Sequence, residues 1–103
     1  MSHCETEHVA PFYFCIDIGN YTGMSAASYE EFLACIRKVN VKSLSFHLHR
    51  EDFEKWVLGI LKDGKLAKEI GKLRNQKLGG QALRNRLHHI VSERHRELSN
   101  KTQ

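Results

Sequence analysis

Seven histidines and three cysteines are the side chains of this chain best suited to chemistry, and their spacing decides what they can do. His47 and His49 form an H-x-H pair. On a strand both rings would share a face and, with Cys15 or Cys35, could hold a metal. On a helix they diverge by about 200°, and a shared ion is out of easy reach. A zinc site wants four ligands, and no second His/Cys pair lies at finger spacing, so no metal is assigned to His47 and His49. His47 is expected instead to be a partly buried ring bonded to the start of the next helix, with Asp52 as its partner. Met1-Ser2-His3 matches a terminal copper-binding pattern, set aside because a small second residue favours removal of Met1.

A second group is cationic. Arg84, Arg86, His88, His89, Arg94, His95 and Arg96 give the C-terminal segment a positive outer face, and Arg84, Arg86, Arg94 and Arg96 are its candidate polyanion-binding residues. Exposed Arg and Lys can neutralise phosphates, and such binding weakens steeply with salt. No recognition-helix motif, aromatic platform or Lys-rich arm accompanies them. Gly79-Gly80 lacks the spacing of a phosphate-binding loop. No nucleophile elbow or paired-carboxylate arrangement marks a catalytic centre, and Cys15, inside an aromatic strand, reads as a small hydrophobe. No catalytic residue and no cofactor are assigned, and the balance leans away from an enzyme.

The elements that must position these groups follow from periodicity. Phe12-Tyr13-Phe14-Cys15-Ile16-Asp17-Ile18 is aromatic and β-branched and ends at Gly19-Asn20, which predicts a strand and a turn. Tyr21 to Ala27 reads as a loop. Ser28-Tyr29-Glu30-Glu31 is a capping box, its Glu31 carboxylate expected on the amide of Ser28. Tyr29, Phe32, Leu33 and Ile36 then mark one face of a helix that ends at Val39-Asn40. Residues 43–49 fit either a strand (Leu44, Phe46 and Leu48 alternate) or a short helix capped by Ser43. Asp52 is expected as an N-cap, followed by an apolar stripe of Phe53, Trp56, Val57, Ile60 and Leu61. Gly64 is expected in the left-handed conformation. Asp63 caps the next helix, with Leu66, Ala67, Ile70 and Leu73 inside. After Gly79-Gly80 a longer helix runs to about Leu98, burying Leu83, Leu87, Ile90, Val91 and Leu98.

These elements predict a mainly α fold with a minor β element (α+β): four or five short helices and one N-terminal strand. A lone strand leaves backbone groups unpaired, so it is expected to pair with residues 43–49 or with the same strand of a second subunit. Residues 1–10 are expected to be a flexible tail, 11–99 a single α-rich domain, and 100–103 a frayed end. Residues 1–64 hold 6 Lys/Arg against 9 Asp/Glu and residues 65–103 hold 10 against 3. An acidic first half and a basic second half suit attraction within or between chains. An odd cysteine count without a secretory signal argues for free thiols and a cytoplasmic setting. No apolar run approaches the ~20 residues needed to cross a bilayer, so no membrane partner is expected.

One stretch combines several of these features. His47 precedes Asp52-Phe53 and Trp56, and Asp63 precedes Leu66-Ala67, giving H-x-x-x-x-D-F-x-x-W followed by D-x-x-L-A. With the aromatic strand, Thr22-Gly23, Ser28 to Phe32, and Gly80 to Arg84, the chain resembles a small prokaryotic, largely archaeal-type family of unknown function. The resemblance covers most of residues 12–98. It implies a domain without an established activity, in which the His-bearing segment leads as a helix into the Trp helix, and it makes residues 43–49 helical. His47, Asp52, Phe53, Trp56, Asp63 and Leu66 are its structural signature. The reading that follows is a protein-interaction or regulatory module that partners itself, by strand or long-helix contacts, or another protein. The alternatives are a weak polyanion or nucleic-acid binder, or a metal or small-molecule binder at His47 and His49.

Overall fold

The computed structural model describes residues 11–101, apart from the Lys101 side chain, and the expectations for the tail and for Met1-Ser2-His3 lie outside them. The fold is mainly α with a minor β element: a two-stranded antiparallel hairpin is followed by five helices. β1 spans Phe12–Asp17 and β2 spans Asn20–Ala26. Period-2 alternation sends Phe12 and Phe14 into the core and sets Tyr13 against Tyr21, ring centroids 5.5 Å apart, on the other face. The turn between the strands has Gly19 at φ 76°, which only glycine adopts freely.

β1 therefore pairs within its own chain, and the expected pairing with residues 43–49 or a second subunit is corrected. The segment Tyr21–Ala27, expected as a loop, lies in the second strand as far as Ala26. Gly23 and Ser25 hid it, because this pair of strands is irregular. The register slips between Phe14 and Cys15. There the Thr22 hydroxyl donates to the Phe14 carbonyl at 2.7 Å and accepts the Met24 amide at 3.3 Å, while Gly23 takes φ 90°. Thr22-Gly23 is the chemistry of a β-bulge.

α1 (Tyr29–Lys38) starts on Ser28, whose hydroxyl accepts the Glu31 amide at 3.1 Å. Glu31 reaches one residue further back than expected and accepts the Ala27 amide at 2.7 Å. α2 (Val41–His49) contains the ambiguous segment and is helical, burying Ser43, Leu44, His47 and Leu48 one turn apart. Its N-cap is Asn40, which accepts the Lys42 amide at 2.9 Å, and not Ser43, which lies one turn inside the helix.

α3 (Asp52–Trp56) begins after Glu51, which turns the chain at φ 66°. Asp52 is thus the first helical residue and not the expected N-cap, and its carboxylate faces inward. The helix continues as a π-helical turn over Val57–Leu61 and stops where Lys62 takes φ 56°. Lys62, not Gly64, is the left-handed residue, because Asp63 must turn back to cap α4 (Gly64–Arg74), accepting the Leu66 amide at 3.0 Å. α5 runs from Gly80 to Lys101 and buries Leu83, Leu87 and Val91, with Ile90 and Leu98 half-buried.

The core is centred on aromatic rings contributed by the hairpin, α1 and α3. Phe12, Phe14, Phe32, Phe53 and Trp56 pack with centroid separations between 5.0 Å (Phe12–Phe14) and 6.4 Å (Phe12–Phe32). Edge-to-face and tilted pairs at such distances are the favoured aromatic geometry. Of the cysteines, Cys35 is a buried free thiol. Cys15 is disulfide-bonded, so the expectation of free thiols fails at that residue. No helix among the described residues is long and apolar enough to cross a membrane.

Candidate functional site

His47 stands where α2 meets the hairpin, completely buried. Its Nε2 accepts the backbone N–H of Cys15 at 2.8 Å, and its Nδ1 lies 2.8 Å from Asp52 Oδ2. An acceptor at Nε2 puts the proton of the neutral ring on Nδ1, which therefore donates to Asp52. Asp52 also accepts from Arg50 Nε at 3.0 Å. The rings of Phe12, Phe46, Phe53 and Phe14 enclose the imidazole at 4.8 to 6.2 Å. Burial holds the His47 pKa below the usual histidine range, and the Asp52 carboxylate offsets this only in part.

The arrangement has a clear local origin. The Phe14/Cys15 bulge turns an amide of β1 toward α2, where a polar group must meet it. The tight Glu51 turn brings Asp52 beneath the other edge of the ring. A chain of N–H, imidazole and carboxylate then ties β1, α2 and α3 together through the core. Both ring nitrogens are engaged, so His47 offers no lone pair to a metal in this state. His49, two residues on, is exposed and bonds the Ser45 carbonyl of its own helix through Nδ1 at 2.8 Å. Among the described residues no group of three or more His, Cys, Asp or Glu converges as metal ligands would.

A second buried polar cluster surrounds Asp63. Beside capping α4, its carboxylate receives Arg94 Nε at 3.0 and 2.9 Å and the Tyr29 hydroxyl at 2.7 Å. Burial works to raise the Asp63 pKa, but Arg94, Tyr29 and the Leu66 amide outweigh it and hold the carboxyl below its ordinary value. Burial, and then Asp63 itself, push the Tyr29 phenol well above its usual range. His95 stacks on Tyr29 at 5.7 Å and sits 3.4 Å from Glu30. This cluster locks α1, α4 and α5 to one another.

The signature residues therefore divide. His47, Asp52, Phe53 and Trp56 come together in one core, with Trp56 wholly buried against Phe12 and Phe32. Asp63 and Leu66 form the separate start of α4. The four arginines proposed for a polyanion do not share a patch. Arg84 Nη2 donates to the Val39 carbonyl at the end of α1, Arg94 belongs to Asp63, and Arg96 pairs with Glu93, while Arg86 is exposed. Other cations of the basic half are also paired: Lys65 with Glu97, Lys72 with Glu69 and Arg74 with Glu54. Of these pairs, Arg74–Glu54 and Arg94–Asp63 join the basic half to the acidic half, and the others lie within the basic half.

Two surface hollows have no acid among their lining residues, and the smaller, of about 370 Å³, lies beside Gln76, Leu78, Ala82, Asn85, Arg86 and His89. A surface groove of about 420 Å³ runs between α1 and α5, lined by Arg37 and by Gln81, Arg84, Asn85, His88, His89 and Ser92. Arg37 Nε donates to His88 Nε2 at 3.0 Å. Burial, then the nearby Arg37 and His89, lower the His88 pKa. Arg37 had no local signal of a role, because its partner is 51 residues away. A smaller hollow of about 210 Å³ between α4 and α5 is lined by mixed charges, Glu69, Glu93 and Glu97 among them.

A hairpin on five helices, with two sealed polar clusters and acid-free surface hollows along α5, defines a small mainly α domain whose polar signature is architectural. The chain belongs to the family of unknown function DUF5752, which it matches over residues 7–102. No curated protein and no solved structure matches it.

Proposed function

We propose that this domain is a protein-interaction module that recruits an acidic partner protein through the groove between α1 and α5. One observation carries the reading: none of the seven groove-lining residues is acidic, whereas most of the other cations of α4 and α5 are matched by a carboxylate inside the fold. Unmatched donors at a surface attract anionic groups and speed their association. The sealing of His47, Asp52 and Asp63, each at most 3% exposed, supports binding over catalysis, since a substrate cannot reach them.

The test is fluorescence anisotropy with a labelled glutamate-rich peptide, at about 50 mM and about 500 mM salt, where screening of surface charges differs strongly. Binding that weakens with salt and is lost in an Arg37→Glu, Asn85→Asp double variant supports the reading. Binding unchanged by those substitutions sinks it. Preference for a short oligonucleotide over the peptide would transfer the groove to a weak polyanion or nucleic-acid binder.

Self-association is a second reading, favoured by the exposure of Ile18 and Tyr21 on the hairpin, 67% and 38%. Light scattering that finds a monomer at high concentration, with no change on Ile18→Ser, would remove it.

A further inference from the structure

The groove between α1 and α5 has a more specific chemistry than positive charge. Arg37 donates through Nε to His88 Nε2, so the neutral His88 ring must carry its proton on Nδ1 and present an N–H. Arg84 spends one guanidinium nitrogen on the Val39 carbonyl, while its buried Nε has no partner among the described residues. Gln81, Asn85, His88 and Ser92 recur at helical spacing along one side of α5, adding two amides and a hydroxyl that can turn their hydrogens into the groove.

These groups line one groove with donors and place no carboxylate among its lining residues. Its natural complement is a group that only accepts, carries more than one negative charge and has oxygens in several directions. A carboxylate offers two oxygens in one plane. A phosphate monoester offers three terminal oxygens and close to two charges, and guanidinium groups are suited to it. At about 420 Å³ the groove also has space for the moiety that bears the phosphate.

We propose that the α1/α5 groove is a phosphate-monoester site, with Arg37 and the Nδ1–H of His88 as its principal donors and Gln81 and Asn85 flanking them. This rests on the reading of the groove as the module's recognition surface and names the chemistry recognised. The monoester can belong to a phosphorylated side chain of a partner protein or to a free phosphorylated metabolite, since both present the same group.

The experiment is a nuclear magnetic resonance titration of the intact chain with inorganic phosphate, and with acetate as the carboxylate control, at constant ionic strength and pH 7.5. Amide and imidazole signals of Arg37, Gln81, Asn85 and His88 should shift saturably with phosphate. Arg37→Gln and Asn85→Leu, both at exposed positions, should each keep the fold's spectrum and weaken phosphate binding, Arg37→Gln by about tenfold, as loss of one charged contact implies. A phosphoserine peptide and adenosine monophosphate then separate the sources, because the true class should bind more tightly than inorganic phosphate.

Phosphate shifts that stay linear, or that acetate matches, overturn the phosphate site. If the glutamate-rich peptide still binds in a salt-sensitive way, only the phosphate assignment has failed. If neither peptide nor phosphate perturbs these residues, the recognition surface itself has been misassigned.

Discussion

Replacing His47 by Leu tests the central architectural claim, that a buried imidazole clasps the hairpin to α2 and α3. Leu fills similar space but supplies neither an acceptor to the Cys15 amide nor a donor to Asp52, both now at 2.8 Å. The Cys15 amide would be orphaned in a region closed to water, and Asp52, 2% exposed, would lose one donor while keeping its contact to Arg50. A neutral bond lost with a buried group left unmet costs about 1–3 kcal/mol, and a bond to a charged group about 1.5–3. The variant should therefore be less stable by about 3–5 kcal/mol, which for a domain near this size lowers Tm by roughly 15–30 °C. Urea denaturation, followed by tryptophan fluorescence from the single, wholly buried Trp56, gives the number directly. A His47→Leu, Asp52→Leu double variant should lose less than the sum of its parts, because each change removes the other's unmet partner. Destabilisation below about 1 kcal/mol, or strict additivity in the cycle, would refute the reasoning.

Four further outcomes follow from the same geometry. Arg94→Ala strips Asp63, 3% exposed, of its cation and should cost about 3–5 kcal/mol in denaturant midpoint analysis, since a buried charge is left uncompensated. Arg96→Ala, paired at the exposed surface with Glu93, should change stability by less than about 1 kcal/mol. Stability should fall as pH drops below the ordinary histidine value of 6.5. The unfolded chain takes up a proton there while buried His47 resists, so the folded state loses up to about 1.4 kcal/mol per pH unit. His88 acts in the same direction, and thermal melts of His47→Leu across this window should be flatter than those of the parent by the His47 share. Trp56→Ala, emptying the space between Phe12 and Phe32, should cost about 3–5 kcal/mol by the same denaturation assay.

The sequence by itself determined whatever depends on neighbours within about one or two helical turns. Ser28 before Tyr29-Glu30-Glu31, Asp63 before Leu66, and the apolar periods of α1, α4 and α5 are local, so the helices and two of their caps were readable. The bond between His47 and Asp52 was readable for the same reason, the residues being five apart. Small errors arose where two local solutions compete. Lys62 takes the left-handed turn in place of Gly64, and Asn40 caps α2 in place of Ser43, because the best local residue yields when its neighbour is needed elsewhere. Only the tertiary structure decided the rest. β2 was concealed by Gly23 and Ser25, and a bulge is recognisable only once its partner strand is known. The Cys15 amide, Tyr29 and Arg94 meet their partners across 32, 34 and 31 residues. No pattern along the chain encodes those separations. The same long-range pairing withdrew Arg94 from the outer face and left Arg37 beside His88, because each cation settles with the groups that packing brings near it.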